Sequence, residues 1–146
     1  EIPFWAYVDL FTIADISLIY KISHHEIRDS TAGVLGILPS SRALILEKYM
    51  HGITIIRNLC AHGSRLYNRL FITKPNLNNA EKNLLLLNED GSMDNQHLFG
   101  YILVMKRLLS IDDFASMKKQ ICQLNEDIPF VAMKYYGFPK NWKDVI

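Results

Sequence analysis

From Lys48 to Ala80 the chain contains no aspartate and no glutamate. The same 33 residues carry Lys48, Arg57, Arg65, Arg69 and Lys74, together with His51 and His62, so the window is locally +5. The whole chain has 16 basic and 15 acidic residues, which leaves 11 basic against 15 acidic outside the window. A near-neutral total thus conceals a polarised molecule, and a long acid-free stretch suits a polyanion such as RNA better than a small metabolite. Cysteine is almost as scarce. Cys60 and Cys122 cannot build a disulfide framework and have no metal-ligand spacing, which favours a reducing compartment and hence the cytoplasm. Long apolar runs are missing too. The richest, Gly33 to Leu38 and Leu84 to Leu87, fall far short of a bilayer span, and no secretory signal opens the chain, so no membrane role is expected. Alternating β-branched runs are few, which argues against a sheet protein.

What is present is helical. With 146 residues, 49% of them hydrophobic, the chain can bury one real core, so a single domain over residues 1–146 is expected. Its first residue is Glu1 rather than Met, and the apolar Ile2-Pro3-Phe4-Trp5 follows at once. This suggests the C-terminal part of a longer chain. Helical spacing predicts a first region from about Pro3 to Ser23, with Thr12 as a break or second cap, and a second from about His24 to Gly36, stopping at Ile37-Leu38-Pro39. Ser40 or Ser41 should cap a long helix reaching at least Cys60, which Gly63 ends or kinks. The Asn-rich segment from Phe71 to Asn95 reads as a long connection with one helical turn near Ala80 to Leu87. Further helices are expected from Asp94 to about Ser110, from Asp112 or Asp113 to about Glu126, and from Pro129 to Tyr136. A closing turn, Gly137 to Trp142, carries a tryptophan able to pin it down.

On the long helix, Leu46, Tyr49, Ile53, Ile56 and Cys60 follow at steps of three and four and form a stripe expected to be buried. At about 100° per residue, His51, Asn58, His62 and Arg65 share the opposite side, and Arg57 lies on the flank, roughly 140° from His62. Each of these residues also has an ordinary reading. A histidine at a helix end can serve the last carbonyls, arginines can be solvated surface charges, and Asn58 can make an interhelical hydrogen bond. Tyr67 can stack on a base or fill a core gap. His51 is read as structural, and the pair His24-His25 as a helix start rather than a metal site, because ligand partners are missing at the right spacing. What sets the block apart is concentration: Arg57 to Arg69 gathers phosphate-gripping and proton-moving side chains without a neighbouring carboxylate.

The run Arg57-Asn58-x-Cys60-Ala61-His62-x-x-Arg65-Leu66-Tyr67-Asn68-Arg69 resembles the signature block of the Abi-like abortive-infection proteins (AbiD/AbiF type), bacterial phage-defence factors placed among the HEPN-domain proteins. The early Trp5 and the closing Gly137-Phe138-Pro139-x-Asn141-Trp142 resemble that family as well, so the likeness spans nearly the whole chain. It implies a compact all-α helical bundle, HEPN-like, with a long central helix carrying the Arg-x4-His motif and commonly dimeric. Arg57 and His62 of two subunits would meet in a metal-independent RNase site, with Asn58 in support. Gly63 stands where the family often has a second histidine, so that residue's role is absent here.

The expected function is therefore metal-independent endoribonucleolytic cleavage by a phage-defence, toxin-like effector, leaving a 2′,3′-cyclic phosphate. Arg57, Asn58 and His62 are the expected catalytic residues. Arg65, Tyr67, Asn68, Arg69 and Lys74 are expected on the RNA. No cofactor or metal is expected, and the expected partners are RNA, a second copy of the chain, and an antitoxin or regulatory RNA. Two other classes stay open: a non-catalytic RNA-binding module, and a helical dimerisation module in a toxin–antitoxin-like defence system.

Overall fold

The computed structural model describes residues 3, 5–8, 10–38 and 40–146, with Trp5 and Val8 described by backbone alone. Expectations resting on Ile2, Phe4, the Trp5 side chain and Pro39 lie outside the described residues. Among those described the chain is all-helical, and its extended pairing is one isolated bridge between Leu87 and Met93. It divides into two compact units, Glu1–Asn58 and Leu59–Ile146.

The first unit contains α1 (Trp5–Val8), α2 (Ile13–Ile22), α3 (His25–Val34) and most of α4 (Arg42–Ala61), whose last residues belong to the second unit. Thr12 makes the break read from the sequence. Its hydroxyl accepts from the Asp15 N–H at 3.2 Å while the Asp15 carboxylate accepts the Thr12 N–H at 2.8 Å, a capping box that satisfies two orphan donors of α2. These hydrogen bonds hold the Asp15 carboxyl below its usual range. α3 ends in a Schellman turn: the Ile37 N–H reaches the Ala32 carbonyl at 3.1 Å, and Gly36 takes the left-handed φ of 70° that this turn requires.

Polar anchors join α2, α3 and α4. The Tyr20 hydroxyl is a bifurcated donor to the Arg28 and Ala43 carbonyls, at 2.9 and 3.0 Å, and burial pushes its pKa up. Arg28 pairs with Glu47 and Arg42 with Asp29, whose carboxyl the Arg42 hydrogen bond holds below its usual range. Around them Ala32, Ile37, Ala43, Leu46, Tyr49 and Ile56 form the buried core. The predicted stripe of α4 is buried at Leu46, Tyr49 and Ile56 and part-buried at Ile53, but Cys60 is exposed. Cys60 is the penultimate residue of α4.

In the second unit, α5 (Asn79–Lys82), α6 (Leu98–Leu108), α7 (Ile111–Asp127), a 3-10 helix (Met133–Tyr136) and α8 (Trp142–Val145) follow a long connection. Every residue from Phe99 to Val104 is buried, which marks α6 as enclosed rather than amphipathic. Phe138 and Trp142 pack edge to face at 5.2 Å, so the closing tryptophan does pin its turn.

Three expected helix starts are corrected. Asp94 does not start α6, whose N-cap is His97. Asp94 is instead 4% exposed, and its carboxylate accepts from His97 Nδ1 at 2.6 Å and from the Gln96 N–H at 3.2 Å. Gly137, at φ 81°, passes directly over this pair: a Cβ there would lie 2.7 Å from His97 Cβ. Pro129 does not open a helix to Tyr136 either. A turn follows it, and only Met133–Tyr136 closes into a 3-10 helix, which Gly137 ends. For α7 the cap is Ser110, whose hydroxyl accepts from the Asp113 N–H at 3.1 Å, so Asp112 and Asp113 occupy the first turn, where the helix dipole favours them.

Candidate nucleic-acid interface

α4 is a 20-residue helix that carries His51, Arg57 and Asn58 but stops at Ala61. His62 is therefore the cap residue, and the expected helical Arg-x4-His motif has its arginine on the helix and its histidine just beyond. The termination is built from backbone. The Ser64 N–H bonds the Leu59 carbonyl at 2.8 Å, the Gly63 N–H bonds the Cys60 carbonyl at 3.1 Å, and Gly63 sits at φ 62°. These bonds satisfy the Leu59 and Cys60 carbonyls without the His62 side chain. His62 is exposed and makes no side-chain hydrogen bond or ion pair with the described residues, as a histidine free to act on a ligand would be.

Arg57 is exposed, and its guanidinium donates to the Asn58 amide oxygen at 3.1 Å. Asn58, expected to support phosphate or histidine, thus holds the arginine in this structure. Arg65 lies past the helix end and does not share the helical face predicted for it. Arg65, Asn68, Arg69 and Lys74 are all exposed in the connection that follows. Tyr67 is 38% exposed.

The carboxylates that bound the acid-free window are both engaged. Glu47 pairs with Arg28 in the first unit. Glu81 pairs with Arg107 in the second, while its other oxygen accepts the Asn78 N–H at 2.8 Å to complete the capping box of α5. The cations between them keep their positive potential unquenched by these neighbours. A cleft of about 260 Å³ lined by Glu81, Leu84, Leu103, Lys106 and Arg107 contains none of the motif residues.

Sequence reasoning missed what Tyr67 meets. Its ring packs on Tyr135 at 5.0 Å and edge-on against Tyr136 at 5.7 Å, and the Asn68 N–H bonds the Tyr135 carbonyl at 2.9 Å. No local signal predicts that pairing, because the partners are distant in the chain. Among the described residues no group of three or more His, Cys, Asp or Glu could hold a metal ion, and no helix is long and apolar enough to cross a membrane.

Residues 1–68 match the family model described as Abi-like protein. The match covers Arg57, Asn58, His62, Arg65, Tyr67 and Asn68 and stops before Arg69, and the closing Gly137–Trp142 turn lies outside it. No curated protein and no solved structure matches the chain.

Proposed function

We propose, from the premise that this chain belongs to the Abi-like family through its residues 1–68, that it is a phage-defence effector cleaving RNA without a metal ion. The observation that supports this reading most is His62: an exposed imidazole without a partner among the described residues, at the end of α4 and inside a stretch free of carboxylates. Histidine is the side chain whose charge changes near neutral pH, which suits it to proton transfer in a transesterification.

In that reaction the RNA 2′-oxygen attacks phosphorus and the bond from phosphorus to the 5′-oxygen breaks. The 2′-hydroxyl loses its proton and the departing oxygen gains one, so two proton transfers are required. His62 carries one, and the His62 of a second copy of the chain carries the other in a homodimer. Arg57, presented by Asn58, donates to the phosphoryl oxygens as their negative charge grows. Arg65, Arg69 and Lys74 bind flanking phosphates without selecting sequence.

The test is labelled single-stranded RNA incubated with wild type beside His62→Ala. Cleavage should fall by roughly a hundredfold or more, the scale of a lost acid-base group. Because the imidazole is exposed and the helix end is closed by backbone, the melting curve should barely move. Unchanged cleavage in a folded His62→Ala protein would refute the assignment.

A further inference from the structure

We infer that Tyr67 and Tyr135 form a stacking subsite for a nucleobase of single-stranded RNA, framed by Lys134, Arg65 and Arg69. The inference rests on the RNA reading above and adds to it a contact from the C-terminal 3-10 helix, a segment outside the matched residues. The site is built from two directions. A tight turn from Leu66 to Arg69, closed by the Arg69 N–H on the Leu66 carbonyl at 3.2 Å, raises Tyr67 at its second position, and Asn68 supplies the left-handed residue at φ 50°. The Asn68 N–H then ties that turn to the Tyr135 carbonyl at 2.9 Å, which fixes both rings in one place.

The two rings pack at 5.0 Å with an interplanar angle of 44°, yet Tyr67 stays 38% and Tyr135 37% exposed. Neither hydroxyl makes a hydrogen bond with the described residues. Rings held mainly for the core would be covered, and these are not. Lys134 Nζ sits 5.0 Å from the Tyr135 ring centroid. Arg65 and Arg69 flank Tyr67 two residues away on either side, and both are exposed.

Charge supports the same occupant. Residues 128–143 contain no Asp or Glu, just as residues 48–80 contain none, so the hydrogen bond between Asn68 and Tyr135 joins two acid-free segments. Rigid aromatic faces beside unneutralised cations are what a stacked base with phosphates on either side requires. An acidic peptide would use the cations but would have no need of flat rings.

The test uses the full chain carrying His62→Ala, so that RNA is not turned over, and two probes: a short single-stranded RNA containing 2-aminopurine, and base-free polyphosphate. Tyr67→Leu and Tyr135→Leu keep apolar bulk and remove the aromatic face. Each should weaken RNA binding roughly tenfold, the scale of one lost stack. Each should also relieve 2-aminopurine quenching, leave polyphosphate affinity unchanged, and be rescued by Phe at the same position. Arg65→Ala should weaken both probes. Leucine variants that bind and quench as before, while Arg65→Ala still weakens RNA, would overturn the subsite and leave the RNA reading standing. Equal losses for RNA and polyphosphate would show that the tyrosines only shape the turn, again overturning the subsite. If the parent protein binds polyphosphate or acidic protein but not RNA, both readings fall.

Discussion

Replacing Asp94 by Ala should be among the most damaging single changes in the second unit, although the residue lies outside every expected site. Its carboxylate is 4% exposed and can only accept hydrogen bonds, so His97 Nδ1, at 2.6 Å, is the donor. Removal leaves that part-buried donor without its partner, at a cost of about 2–3 kcal/mol for a bond to a charged group. The Gln96 N–H, longer at 3.2 Å and partly exposed, adds about 0.5–1 kcal/mol. His97 Nε2 is already buried without a hydrogen-bond partner among the described residues, which offer the ring no compensating bond to strengthen. The sum is about 3 kcal/mol, or roughly 6–12 °C in Tm for a chain of this size. Asp94→Asn, which keeps an acceptor and the volume, should lose about half as much. Urea titration followed by far-UV circular dichroism gives the numbers. A loss below about 1 kcal/mol for Asp94→Ala would refute the reasoning, because it would mean that the His97 contact is replaced by solvent at no cost.

Alkaline pH should expose a second buried group. The Tyr101 hydroxyl donates to the Thr73 carbonyl at 2.6 Å, and burial pushes its pKa from 10.0 to about 12. A folded-state pKa raised above the unfolded one gives stability that is complete below about pH 10 and lost as pH climbs towards 12. Tyr101→Phe should therefore flatten the alkaline limb of a stability–pH curve, at a cost of about 1 kcal/mol at neutral pH for the bond to Thr73; an unchanged limb would contradict the assignment. If Arg65, Arg69 and Lys74 meet phosphates, the logarithm of RNA affinity should fall linearly with the logarithm of salt. Each of these charges removed should flatten the slope by roughly 0.7 for a single strand, and a salt-independent interaction would exclude phosphate contacts.

The helical class and several boundaries were legible because they depend on near neighbours. Thr12 and Asp15 cap α2 within one turn, and Gly36 and Gly63 end α3 and α4 because left-handed backbone favours glycine. The acid-free window could likewise be read from composition alone. Asp94 defeated the same logic: an Asp before an apolar run looks like a cap, and only the fold brings His97 and Gly137 around it and buries it. At α7 the sequence offers Asp112 and Asp113 as starts, and the cap is Ser110 just before them. Tyr67 has two readings in the sequence, and neither contains Tyr135, whose ring arrives through a hydrogen bond between distant segments. Periodicity and capping rules contain no term for such a contact.

The most direct test of the central claim is the chemical identity of the ends produced when wild type cleaves labelled single-stranded RNA in the presence of excess EDTA. Attack by the RNA's own 2′-oxygen predicts undiminished cleavage, a 2′,3′-cyclic phosphate on one fragment and a free 5′-hydroxyl on the other. Activity abolished by the chelator, or fragments bearing a 5′-phosphate, would contradict it.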